Sequence, residues 1–173
     1  MRLWRPRGWC LSTSRIRAGT EARIERVTQL GPNELDELVN RSLEEGFKFV
    51  QRLRDEYQSG VNRFDQPCEA LLLARDADTM DARINVAVIG LNLDPNGQPG
   101  VMRVRRFYVL PERRGHGLGR TMLLEVIQLA RGAHAKSLEV HTDNPQAARF
   151  YERNGFQPLN SSHASHSSHR LEL

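Results

Sequence analysis

Leu35, Leu38, Val39, Leu43, Phe47, Val50, Leu53 and Tyr57 recur at steps of three and four residues. That is the period of one helix face, and it predicts helix from just after Pro32 to about residue 58. Gly31-Pro32 breaks the chain before it, Asn33 is a plausible N-cap, and Glu34 and Asp36 suit the positive end of the first turn. Gly46 is a point where this stretch can split into two helices. ARIERVTQL (22–30) alternates loosely and predicts a first strand, as does EALLLAR (69–75). INVAVIGLNL (84–93) and VMRVRRFYVL (101–110) are rich in β-branched and aromatic residues, and DPNGQPG between them carries Asn-Gly and Pro-Gly turn signals. They are expected to pair as antiparallel neighbours. After Pro111 the period changes: Leu123, Val126, Ile127 and Ala130 mark an amphipathic helix ending near Gly132. SLEVHT (137–142) predicts another strand. Asn144-Pro145 offers cap and first-turn residues for a short helix closed by Gly155, and HRLEL ends the chain as a last strand. The alternation predicts an α/β (α+β layered) fold with a mixed, mostly antiparallel central sheet of about six to seven strands, flanked by helices.

Bulk composition narrows the class. The chain has 173 residues, 39% of them hydrophobic and 27% charged, which fits one globular domain able to bury a core without staples. A single domain is expected over residues 21–173. The formal net charge of +4 is misleading. Residues 1–20 hold Arg2, Arg5, Arg7, Arg15 and Arg17 and no acid, and the remainder balances 20 basic against 21 acidic side chains. The body therefore gives no electrostatic argument for nucleic acid as a partner. The Arg-rich extension is expected to lie outside the fold, as a transit peptide, a disordered tail or the product of an upstream start codon. No apolar run approaches the ~18 residues of a membrane span, so no membrane partner is expected. Cys10 and Cys68 show no paired spacing, which argues against a disulfide framework or zinc site and fits a cytoplasmic location.

The densest chemical signal is RRGHGLGR, Arg113 to Arg120. A strand ending at Leu110 followed by a helix starting near Gly117 brings several unpaired N–H groups to one point, where the helix dipole adds positive potential. A phosphate or pyrophosphate suits that point, each amide–anion bond contributing roughly 1.5–3 kcal/mol. The alternative is a tight strand-to-helix turn whose glycines are incidental. A Walker loop requires Gly-Lys-Ser/Thr, and position 120 is arginine. A dinucleotide fingerprint starting at Gly115 would need glycine at position 120 and would open a parallel βαβ unit near the start of its domain.

FYVLPERRGHGLGRTMLLEV resembles the cofactor-binding segment of the GNAT-type N-acetyltransferases. Their loop pattern, Arg/Gln-x-x-Gly-x-Gly/Ala, is matched by Arg114-Gly-His-Gly117-Leu-Gly119. NPQAARFYERNGF (144–156) resembles a second block of that family, with its asparagine, tyrosine and closing Gly-Phe. The clear resemblance covers about residues 84–157. It implies a GNAT-like acyl-CoA N-acyltransferase fold, acetyl-CoA as acyl donor, no metal, and direct transfer to a primary amine of a small molecule or peptide, by a monomer or homodimer. A non-catalytic CoA-binding sensor or interaction domain of the same fold is the alternative.

Carried over by residue, the resemblance puts the CoA pyrophosphate on the amides of Arg114, Gly115, His116, Gly117, Leu118, Gly119 and Arg120. It runs the pantetheine beside main-chain groups of Tyr108, Val109 and Leu110, with an N–H near Val109 polarising the thioester carbonyl. Tyr151 would assist departure of the thiolate, although Ala147, Phe150 and Tyr151 also form one helical stripe and suit a core. Tyrosine titrates near ~10 and a thiol near ~8.5, so full proton donation is uphill by roughly 2 kcal/mol and a hydrogen bond is the lesser demand. Asn144 is either a plain cap or a cap that also touches the pantetheine. Relatives often place a base glutamate on the hairpin strand, where this chain reads Val104-Arg105-Arg106-Phe107. His141, Glu69, Glu112 or a water chain are the substitutes, His141 being the one carried forward. The side chain of His116 is expected to face solvent. His163, His166 and His169 fall in Ser-rich SSHASHSSH, expected as a solvated loop rather than a metal site. Glu34, Glu37, Glu44, Glu45, Asp55 and Glu56 are expected on the wet face of the long helix, where they would also draw a cationic acceptor.

Overall fold

Strands that are apolar on both sides need cover on both sides, and the arrangement of helices supplies it. The computed structural model describes residues 22–76, 84–94, 96, 98–159 and 167–173. The expected N-terminal extension (1–20), Cys10, His163 and His166 lie outside these. The elements run β1 (Ala22–Arg26), α1 (Asp36–Glu44), α2 (Phe49–Ser59), β2 (Ala70–Asp76), β3 (Asn85–Leu93), β4 (Val101–Val109), α3 (Leu118–Gly132), β5 (Ser137–Val140), α4 (Pro145–Arg153), β6 (Gln157–Pro158) and β7 (His169–Glu172). A 3-10 turn, Pro111–Arg113, joins β4 to the glycine loop. Among the described residues no helix is long and apolar enough to cross a membrane.

The seven strands form one sheet in the order β1-β2-β3-β4-β5-β7-β6. Every pairing is antiparallel except β4 with β5, which α3 connects. The expected mixed sheet and the β3–β4 hairpin are present. Alternate side chains of β4 show which helices cover which face. Tyr108 meets Phe49 and Glu45 beside α1 and α2, whereas Phe107 and Val109 line the position of Gly119 on α3. The two faces of the sheet are thus covered by different helices, and β2 and β3 are buried along nearly their whole length.

Two local expectations need correction, at the first helix start and at His169, while the expected break at Gly46 is present. The first helix begins at Asp36 without a side-chain cap, and Glu34 accepts from the Gly31 amide (2.8 Å) and from Arg75 (2.8 Å). Asn33 contributes only its carbonyl, to the Asp36 amide. The long helical stripe splits at Gly46, whose φ of +82° is left-handed. His169 is not in a solvated loop: it opens β7, is 6% exposed, and its ring lies 3.5 Å from Glu152.

A β-bulge in β4 carries a structural demand. The register shifts between Val88 and Gly90, and Arg106 adopts a φ of +56°. Opposite, a Cβ on Gly90 would lie 2.3 Å from Cε1 of the buried Phe64 ring and 3.1 Å from the Arg105 carbonyl oxygen. Gly90→Ala is therefore expected to destabilise the fold by about 1–3 kcal/mol through overpacking. Thermal unfolding checks this, and an unchanged Tm would mean that the Phe64 ring yields freely.

Candidate active site

The pairing of β4 with β5 stops early. Val101, Met102 and Arg103 pair with Ser137, Leu138 and Glu139, after which the strands diverge. Buried charge marks the point of divergence: Arg103 Nε lies 3.0 Å from Asp94 Oδ1, and Glu139 Oε1 accepts from Arg170 Nε at 3.0 Å. Beyond it opens a cleft of about 910 Å³, walled by β4, the glycine loop, the residues after β5, the start of α4 and the α1–α2 connection.

The ladder decides which β4 groups reach this cleft. The Leu110 amide donates to Val86 (2.9 Å), and Tyr108 pairs with Val88 two residues back. Antiparallel strands alternate the residues that exchange hydrogen bonds. Tyr108 and Leu110 therefore direct their main-chain groups at β3, while Val109 directs its N–H away from β3 into the divergence. Of the three residues expected to serve a ligand through the backbone, Tyr108, Val109 and Leu110, it is Val109 whose N–H is free of β3. The Val109 carbonyl already accepts from Arg114 Nε (2.9 Å).

The glycine loop resolves into two kinds of glycine. Gly115 and Gly117 have φ of +79° and +87°, with open space where a Cβ would stand. Gly119 has ordinary helical geometry and would place its Cβ 3.6 Å from Phe107, an ordinary contact. Gly117 precedes α3, and the first helical bond runs from the Thr121 amide to the Gly117 carbonyl (3.0 Å). The amides of Gly115 to Arg120 consequently have no partner among the described residues. That of Arg114, also expected to face the pyrophosphate, does: it donates to the Pro111 carbonyl (3.2 Å). Leu118 is 1% exposed, with its side chain in the core, and His116 projects to solvent outside the cleft. Arg120 lines the cleft and an adjoining recess of about 380 Å³ that it shares with Arg149 and Arg153.

Arg114 instead braces the loop. Its guanidinium binds Glu45 through two parallel bonds of 2.7 Å and lies 5.3 Å above the Tyr108 ring, whose hydroxyl donates to Glu45 Oε2 (2.6 Å). The hydrogen bonds from Arg114, joined by that from Tyr108, outweigh the cost of burial and hold the Glu45 carboxyl below the ordinary carboxylate range. Burial and the Glu45 charge push the Tyr108 hydroxyl far above the ordinary phenol range. Sequence reasoning placed Glu45 on the wet helix face and Tyr108 in the backbone path; Glu45 is exposed but ion-paired with Arg114 at the cleft, and Tyr108 is buried with its hydroxyl on Glu45. The Gly46 break turns Glu45, Phe47 and Phe49 into the cleft. A pair of aromatics just after a glycine break in a helical stripe was the available signal.

Across the cleft, Asn144 caps α4 by accepting from the amides of Gln146 (2.8 Å) and Ala147 (3.3 Å). Gly155 ends that helix at φ +93°. Tyr151 lies between Phe150 and Phe156, with centroids 5.4 and 5.2 Å away, and also lines the cleft. Core packing and access to the cleft thus coexist at this residue. Burial pushes its hydroxyl far above the ordinary phenol range. His141 stands at the mouth, 57% exposed, with Nε2 3.4 Å from Asp143 Oδ2. Glu69 instead accepts from the Leu93 amide (3.1 Å), and Glu112 binds Arg41 (3.1 Å), both away from the cleft. Cys68 is exposed and likewise outside it. Among the described residues no group of three His, Cys, Asp or Glu side chains could hold a metal ion.

Comparison with known proteins gives this geometry a family. The model of the acetyltransferase (GNAT) family matches residues 34–156. An uncharacterised N-acetyltransferase of Schizosaccharomyces pombe is 30% identical over 133 residues, spanning 73% of this chain and 78% of its own. A crystal structure from Exiguobacterium, assigned as an acetyltransferase, has a TM-score of 0.75 and 27% identity, over 88% of this chain and 94% of that one. A GNAT family acetyltransferase of Brucella melitensis, solved in complex with acetyl-CoA, shares the fold at a TM-score of 0.62 and 18% identity, over 88% of each chain. A loop of unpaired amides, a diverging strand pair and a tyrosine-bearing helix across the cleft thus coincide with family-wide similarity, and the chain belongs to the GNAT family of acetyltransferases.

Proposed function

We propose that this protein transfers the acetyl group of acetyl-CoA to an amine nitrogen by direct attack in a ternary complex. The observation that carries the proposal is the Val109 N–H, left without a strand partner between the unpaired loop amides and Tyr151. The amides of Gly115 to Arg120 would hold the pyrophosphate, with Arg120, Arg149 and Arg153 adding positive charge beside it. The pantetheine would follow the divergence between β4 and β5. Val109 would donate to the thioester oxygen, where negative charge develops during attack. His141, 3.4 Å from Asp143, would accept the amine proton, since a protonated nitrogen has no lone pair to attack with. Tyr151 would donate a hydrogen bond to the departing sulfur. Transfer forms the C–N bond of the amide and breaks the C–S bond, leaving CoA thiol and an N-acetyl product.

Calorimetric titration with acetyl-CoA and a thiol-release assay over a panel of amines test this together. Saturable binding with amine-dependent thiol release is expected. The alternative of a sensor domain has one observation in its favour: no carboxylate stands on β4, and Glu45 is tied to Arg114. Tight binding with no release on any amine would establish that alternative, and absence of binding would sink both.

A further inference from the structure

Most cations around the cleft are neutralised. Arg103 meets Asp94 and Glu139, Arg106 meets Glu56 at 2.8 Å, and Arg114 meets Glu45. Arg105 is different. It lines the cleft, is half-buried, and forms no hydrogen bond or ion pair with any described residue. Burial first, then the charges of Arg106, Arg103 and Arg52, lower its proton affinity from the ordinary guanidinium value, with Glu56 only partly offsetting them. A guanidinium still remains charged at neutral pH, so Arg105 is a partly desolvated cation with no ion-pair partner among the described residues. Such a group is costly unless a ligand completes it.

Position separates this cation from the donor's phosphates. Arg105 is four residues before Val109, up to about 13 Å along an extended strand, on the side of Val109 away from the glycine loop. Arg52 and Glu56, whose charges reach it, both belong to α2. It therefore sits on the α1–α2 side of the cleft, the side that also presents Phe47 and Phe49. The neighbouring arginines of β4 are already paired, so Arg105 is the β4 cation on offer there, with Arg52 of α2 adding positive charge nearby. The planar fork of arginine matches a carboxylate.

We propose that Arg105 anchors a carboxylate of the acceptor, so that the acceptors of this enzyme are small amines that also carry a carboxylate, such as amino acids. The inference rests on the transferase reading for the amine and on Arg105 for the acid. Kinetics on α-amino acids, each paired with its own α-amide, test it in wild type, Arg105→Gln and Arg105→Lys. In wild type kcat/KM should favour the acids at least tenfold. In Arg105→Gln that preference should fall to about one, with partial retention in Arg105→Lys and an unchanged KM for acetyl-CoA. Comparing the same pairs across variants cancels the different basicities of the amines. An aminoalkylphosphonate in the panel separates anion types: phosphonate turnover exceeding that of the matched carboxylate would overturn the carboxylate assignment. A second measurement does not depend on turnover. Titration of the CoA-loaded protein should show binding of N-acetylglycine, none of N-acetylglycinamide, and loss of the former in Arg105→Gln. Turnover with a preference that survives Arg105→Gln overturns the anchor and leaves the transferase standing. Selective N-acetylglycine binding with no turnover of any amine keeps the anchor and removes the transferase. Absence of selectivity in both measurements overturns the anchor.

Discussion

Gly117→Val is expected to weaken acetyl-CoA binding at least a hundredfold while leaving a folded protein. The reason is conformational. Gly117 sits at φ +87°, where a β-branched residue is strongly disfavoured, while the space around its missing Cβ is open. The chain can relieve the strain only by rerouting the turn, and that swings the amides of Leu118, Gly119 and Arg120 off their common focus. Three or four amide–anion bonds of roughly 1.5–3 kcal/mol each would be misdirected together, so a hundredfold loss is a conservative figure. Gly119→Ala is the control. Its φ is ordinary and its Cβ would meet Phe107 at 3.6 Å, so binding should stay within a few-fold of wild type. Titration calorimetry measures both, with a thermal melt to confirm folding. A folded Gly117→Val variant that binds normally would sink the loop assignment.

Tyr151→Phe is expected to lower kcat about 10- to 100-fold with little change in acetyl-CoA affinity. The ring stays buried between Phe150 and Phe156, so the substitution removes one hydroxyl and little packing. A hydrogen bond to a charged sulfur is worth roughly 1.5–3 kcal/mol, and each 1.4 kcal/mol is a factor of ten. The pH profile checks that the hydroxyl does not titrate in the working range. Burial raises the hydroxyl above its ordinary ~10, so it stays protonated throughout the neutral range and contributes no titration there. Wild type and variant should therefore share the same profile shape below about pH 9, differing only in height. Unchanged kcat in Tyr151→Phe would reduce the residue to a core aromatic.

Much of this arrangement was legible locally. The hairpin loop, the Asn144-Pro145 helix start and the closing Gly155 follow from residues within one turn of each other, so their chemistry survives without tertiary context. The glycine loop was legible for the same reason: a helix start exposes amides whatever it packs against. Glu45 was not. On helical period it belongs among solvated acids, yet the left-handed Gly46 ends the helix beside it and Arg114, 69 residues further on, captures it. Tyr108 was misassigned for a related reason, because its backbone role depends on register with β3 and its side-chain role on Glu45.

Order, period and punctuation along the chain thus specified the elements, the layered fold and a loop of free amides at the start of α3, because those depend on neighbours in sequence. Only tertiary structure decided that β4 and β5 part after Arg103, that of Tyr108, Val109 and Leu110 it is Val109 that turns its N–H into the gap, and that Arg105 has no ion-pair partner among the described residues. Each of these depends on which strand or carboxylate arrives from far along the chain. Spacing within a segment carries no information about that arrival.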